Sequence, residues 1–166
     1  KSLIPKGASV INGASKTLEQ IGYIEYLTSG THGWNNLKAA VLAEKDPAKQ
    51  RMLRKQATIS DFYLGSAQAM AEAGEFLIVS ATGSQMPSIT FNSPNLIFVV
   101  STKKIVPTLD DALRRVREHA FPQEDANMKS KGYGGSILAK ILIFANESPK
   151  LGRNVRVICV NEKLGV

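Results

Sequence analysis

One cysteine, two histidines and one tryptophan stand among 166 residues. With Cys159 alone, an internal disulfide has no second thiol. Neither a multi-cysteine zinc site nor a cysteine-held iron–sulfur cluster can be built from this chain. Sparing use of cysteine fits a reducing cytoplasm. Cys159 itself lies in an apolar stretch and reads as a packed thiol. His32 and His119 are far apart, with no partner at metal or triad spacing. No apolar run approaches the ~18 residues of a membrane span, so no membrane partner is expected. The longest, Leu96-Ile-Phe-Val-Val100, has the length of a buried strand. The opening Lys1-Ser-Leu-Ile-Pro-Lys6 lacks the apolar core and cleavage site of a signal peptide. It also lacks an initiator methionine, so a further segment is expected ahead of it.

From Asp61 to Thr102 there is no lysine or arginine. The net charge of +7 therefore comes from predicted helices and the last third of the chain, where bases mix with acids. A nucleic-acid footprint needs a dense basic stripe, and none is present. The charge reads as solvated faces. With 43% hydrophobic and 21% charged residues, the chain has an ordinary globular composition, and its length suits one domain over residues 1–166.

Strand and helix signals alternate, which predicts an α/β fold with a mostly parallel sheet. Ala8–Asn12 reads as a strand leading into Gly13-Ala14-Ser15. Thr17-x-x-Gln20 has capping-box spacing and predicts a helix from Leu18 to about Ser29, with Gly22 inside it. Trp34–Asn36 reads as a loop and Leu37–Ala43 as a short helix. Asp46-Pro47 is an N-cap followed by a first-turn proline, opening a helix to about Thr58. Strands are predicted at Phe62–Leu64, Phe76–Val79, Leu96–Val100, Ile141–Phe144 and Val155–Val160. A helix begins after Thr108 and stops at Phe121-Pro122. Asn127–Ser136 reads as a glycine- and lysine-rich loop.

In open α/β sheets ligands bind beyond the carboxyl ends of the strands. Three loops there have suitable residues. Gly13, Ala14, Ser15 and Thr17 form a small-residue turn whose backbone N–H groups can approach an anion at a helix start. It is neither a Walker loop nor a dinucleotide fingerprint, and a plain tight turn is the competing reading. Thr82, Gly83 and Ser84 follow a predicted strand and suit phosphate, carboxylate or pantetheine contacts. Lys103 and Lys104 follow the most apolar strand and either neutralise an anion or merely solubilise the strand end. Glu72, in Ala71-Glu72-Ala73-Gly74, is a candidate base or nucleophile. An acidic turn residue is its simpler explanation.

Several of these segments together resemble one family. Gly7-Ala-Ser-Val-Ile-Asn-Gly13-Ala-Ser15-x-Thr17 is similar to the opening of the LUD, or lactate-utilisation, domain, as is Ala57-Thr-Ile-Ser-Asp61-Phe-Tyr-Leu-Gly65-Ser66. Glu72-Ala-Gly74-Glu75 and Ala81-Thr82-Gly83-Ser84 resemble its acidic turn and its small-residue loop. Val99-Val-Ser-Thr-Lys103-Lys104-Ile105-Val106-Pro107-Thr108-Leu109 is the nearest match, and Arg153–Gly165 resembles the family's C-terminus. The resemblance implies a three-layer α/β/α fold related to ribose-5-phosphate isomerase, glucosamine-6-phosphate deaminase and CoA transferases. It implies a small anionic metabolite as ligand in lactate or organic-acid use, with an iron–sulfur oxidoreductase or a second copy as partner. The alternative it carries is a sugar-phosphate isomerase-like or acyl-CoA transferase-like enzyme using Glu72. In some CoA transferases a glutamate stands in a Ser-Glu-Asn-Gly turn, but Ala71 and Ala73 depart from that pattern. The family's usual N-terminal helix has no counterpart. The cysteine cluster of many short members is replaced by Met128-Lys-Ser-Lys-Gly-Tyr-Gly-Gly135. The resemblance names no cofactor, and no catalytic residue carries over from it.

Overall fold

A computed structural model describes residues 2–166. In chain order it contains β1 (Ser9–Asn12), α1 (Lys16–Gln20), α2 (Tyr23–Thr28), β2 (Asn35–Asn36), α3 (Leu37–Ala43) and α4 (Pro47–Gln56). Strands β3 (Phe62–Gly65), β4 (Ala69–Ala71) and β5 (Phe76–Ser80) follow, then β6 (Asn95–Ser101) and β7 (Ile105–Val106). Helices α5 (Leu109–Arg115) and α6 (Phe121–Ser130) precede β8 (Lys140–Phe144) and β9 (Asn154–Val160).

The main sheet has five strands in the order β2-β1-β3-β6-β9, and every neighbouring pair is parallel. Strands β3 and β6 are buried along nearly their whole length, which is why their sequences are unbroken apolar runs rather than alternations. One face of the sheet, through Val10, Phe62, Leu64, Ile97 and Val99, packs with Leu18, Tyr23 and Ile24 of α1 and α2. The other face, through Tyr63, Leu96, Phe98 and Val100, packs on Phe76 and Ile78. Those belong to a second, mixed sheet ordered β7-β4-β5-β8, whose outer face is covered by Ala112 and Val116. The architecture is α/β with an all-parallel central sheet, consistent with the three-layer class. The strands expected at 76–79 and 141–144 pair with each other in the four-stranded small sheet within the covering layer.

Local departures have local causes. The first helix starts at Lys16 instead of Leu18, because Ser15 rather than Thr17 is the cap: its hydroxyl accepts from the Leu18 N–H at 3.3 Å. The helix then breaks at Gly22, which adopts φ +70°, a left-handed conformation that glycine takes without steric cost. Asn35–Asn36 is a short edge strand rather than loop. The helix after Thr108 does not stop at Phe121-Pro122. A π-helical turn, Val116–Ala120, widens the backbone there, so Pro122 falls at the start of α6, where a missing N–H costs little. The helix continues to Ser130 through residues expected to be loop. Cys159 is exposed rather than packed. It sits on β9, the edge strand, where the inward alternation of Val155 and Val157 runs out before residue 159.

Candidate functional site

A cavity of about 450 Å³ opens at the carboxyl ends of β1 and β3. Its floor is polar and buried. Asn12, the last residue of β1, is 5% exposed. Its Nδ2 donates to the Gly13 carbonyl at 2.9 Å, and its Oδ1 is buried with no partner. Gly13 lacks a side chain where one would overlap the Gln85 amide oxygen and fall 2.7 Å from the Tyr63 hydroxyl. Those two groups are bonded to each other at 3.0 Å, which ties the second sheet's loop to the main sheet beneath the cavity. Burial holds the Tyr63 phenol well above its ordinary range, so it is a neutral donor.

Thr17 and Lys104 form the centre. Released from capping, Thr17 turns inward and is 1% exposed; its hydroxyl accepts from Ser66 Oγ at 3.2 Å and from Lys104 Nζ at 3.3 Å. Lys104 lies in a 3-10 turn after β6 and is only 3% exposed. Its ammonium also donates to the Ala67 carbonyl at 3.2 Å. Among the described residues no carboxylate pairs with it: the ion pairs are Arg114–Asp111, Lys129–Asp125 and Arg153–Glu147. Burial, helped by the Arg115 cation, pulls its pKa down to about 8. A buried charge without a counter-charge is costly, and perturbed groups of this kind cluster at functional sites.

The second sheet supplies one wall. Thr82 donates to the Ser84 hydroxyl at 3.0 Å and accepts from the Ser84 N–H, while Ser80 Oγ accepts from the Gly83 N–H at 2.9 Å. The rim is cationic. Lys16, Lys38, Arg54 and Lys131 line it, against Glu19 and Glu124. Burial lowers the Lys38 pKa, an effect its Glu19 neighbour opposes and Arg54 reinforces. The π turn before α6 sets the course of the helix that carries Glu124, Asn127 and Met128 to this rim.

Of the residues expected at a site, Gly13, Ala14, Ser15, Thr17, Thr82, Ser84 and Lys104 line this one cavity. Gly83 does not; the Lys140 stem covers it, and a Cβ there would fall 2.7 Å from Lys140 Cδ. Lys103 is exposed and lies outside the cavity lining. Glu72 is exposed at the corner of the β4–β5 hairpin, its N–H bonded to the Val106 carbonyl, and does not line the cavity. Sequence reasoning passed over Ser66, Lys38 and Arg54. Ser66 carries the same signal as Ser15, a small polar residue just past a strand. The other two sit on helices whose facing only the tertiary packing decides.

The positive dipole expected at the first helix start is weak, because α1 spans five residues. Side chains, Lys104 within and Lys16, Lys38, Arg54 and Lys131 around it, supply the cavity's positive character. Among the described residues no group of three His, Cys, Asp or Glu side chains is placed to hold a metal ion, and no helix is long and apolar enough to cross a membrane.

A family model described as LUD domain matches residues 1–137. No curated protein matches the chain. Among solved structures it is similar to a DUF162 family protein from Deinococcus radiodurans, at 11% identity and a TM-score of 0.44, over 93% of this chain and 88% of that one. The match over residues 1–137 covers most of the sequence and all of the cavity's residues up to Ile137, and the chain belongs to the LUD-domain family, the lactate-utilisation family that its motifs resemble.

Proposed function

We propose that the chain binds a small organic anion of the lactate class in this cavity and serves as an accessory protein in organic-acid use. The observation that carries the reading is Lys104: an ammonium 3% exposed, lining a cavity, with no ion-pair partner among the described residues. A carboxylate entering the cavity supplies the missing counter-charge. Charge-assisted hydrogen bonds of this kind contribute about 1.5–3 kcal/mol each. The orphaned Asn12 Oδ1 offers an acceptor to a ligand hydroxyl, and the cationic rim draws anions inward. Oxidation of the acid is assigned, in this reading, to an iron–sulfur oxidoreductase partner in the cytoplasm. The isomerase-like or transferase-like alternative gains nothing from the geometry, since Glu72 is away from the cavity.

The test is a thermal-shift screen with lactate, pyruvate, sugar phosphates and CoA esters, because a ligand that binds only the native state raises the unfolding temperature. A small hydroxy or oxo acid is expected to stabilise the wild type and not Lys104→Met. Stabilisation that is equal in both proteins, or absent for every acid, overturns the reading.

A further inference from the structure

We infer that Lys104 is an imine-forming lysine, whose amine condenses with the carbonyl of a small 2-oxo acid held in the same cavity. The inference rests on the anion-binding reading and adds a covalent step to it. Two acceptors, the Ala67 carbonyl at 3.2 Å and Thr17 Oγ1 at 3.3 Å, surround Nζ. Both bonds can be kept by the neutral amine, which carries two hydrogens and a lone pair free to attack. Gly165 packs beside Nζ without a side chain; a Cβ there would fall 2.6 Å from Nζ and closer still to Thr17 Oγ1. Lys104 also lines the cavity, so its amine and a ligand share one space.

The chemistry balances with the groups present. The Nζ lone pair attacks the carbonyl carbon and the C=O π electrons move to oxygen. A proton passes from nitrogen to that oxygen, giving a carbinolamine. Loss of water then forms the C=N bond, and protonation gives an iminium. No oxidant or reductant is consumed. The chain Lys104 Nζ–Thr17 Oγ1–Ser66 Oγ, with links of 3.3 and 3.2 Å, is a path for the proton. The iminium keeps the positive charge of the ammonium it replaces, so the attraction for the acid's carboxylate survives condensation. With a pKa of about 8, roughly one Lys104 in ten is a free amine at pH 7, against far fewer for a lysine in water.

The experiment incubates the full chain with pyruvate and cyanoborohydride, which reduces an iminium to a stable secondary amine. Intact mass and peptide mapping are then read. The expected result is one adduct, heavier by pyruvic acid less one oxygen atom and located on Lys104. It should form more than about tenfold faster than on any other lysine. Excess lactate, which has no keto group, should suppress it, and Lys104→Arg and Lys104→Met should lack it. No adduct, or adducts spread over surface lysines at the same rate in wild type and Lys104→Arg, overturns the inference. The lactate thermal shift on the same samples separates the two claims. Lactate stabilisation without an adduct removes the imine and leaves anion binding standing. Neither effect removes both.

Discussion

Replacing Lys104 by methionine should make the protein more stable at neutral pH, the opposite of what removal of a structural buried lysine does. Methionine keeps the unbranched stem that fills the space and removes the charge. Lys104 is held at a pKa of about 8 against 10.5 in the unfolded chain. At 1.36 kcal/mol per pH unit that difference is about 3 kcal/mol of destabilisation. It is present in full below pH 8, where the lysine is protonated in both states. It fades between pH 8 and about 10.5, because there the unfolded chain binds more protons than the folded one. Against this, the substitution strips the Ala67 carbonyl of its donor, a loss of about 1–2 kcal/mol. The net gain at pH 7 is about 1–2 kcal/mol, and about 2–4 °C in Tm for each kcal/mol in a chain of this size. Urea unfolding of both proteins at pH 7 and at pH 10.5 is the assay. The variant is expected to be the more stable at pH 7 and the less stable at pH 10.5. A variant destabilised at pH 7 by the about 3–5 kcal/mol typical of a broken buried ion pair would show that Lys104 has a counter-charge and a structural task.

Three further outcomes follow from contacts elsewhere. Asp61 clips the start of β3 to β1, accepting from the Ser9 N–H at 2.8 Å and its hydroxyl at 2.7 Å, and these bonds hold its carboxyl below the usual range. Its contribution is present above the unfolded carboxylate's pKa and lost as pH falls through the lower folded value. Because Asp61 is exposed and solvent screens it, Asp61→Asn should cost only about 0.5 kcal/mol in urea unfolding at pH 7 and progressively less in acid. Arg153 gathers the carbonyls of Ile89, Thr90 and Ser93 beside the π-helical turn Ser88–Asn92 and pairs with Glu147 at 2.7 Å. Arg153→Ala leaves a poorly exposed glutamate and several carbonyls without donors, and should lower stability by about 2–4 kcal/mol in the same assay. Gly13→Ala should separate Tyr63 from Gln85 and cost about 1–3 kcal/mol, seen as a lower Tm.

The parts of the fold that could be read from residues are those in which local pattern and tertiary outcome agree. The apolar runs 62–64 and 96–100 are buried strands of a parallel sheet because nothing polar interrupts them. Asp46-Pro47 opens a helix because its cap chemistry is purely local: Asp46 Oδ1 accepts from the N–H groups of Ala48 and Lys49. Where two local signals compete, pattern alone does not decide. Ser15 and Thr17 are both good caps, and the tertiary need for a hydroxyl beside Lys104 draws Thr17 inward. Pro122 reads as a helix stop unless a π turn precedes it. The same holds for the site. Lys103 and Lys104 are alike as sequence, yet a 3-10 turn leaves one exposed and buries the other. Cys159 reads as packed because an edge strand and an interior strand share a composition, and strand order is a property of the whole sheet.

Calorimetric titration of lactate into the wild type, Lys104→Met and Lys103→Ala tests the central claim most directly. The account predicts affinity weakened by roughly 10- to 100-fold in Lys104→Met, the equivalent of one charge-assisted hydrogen bond, and unchanged affinity in Lys103→Ala. Equal affinity in wild type and a folded Lys104→Met would contradict it.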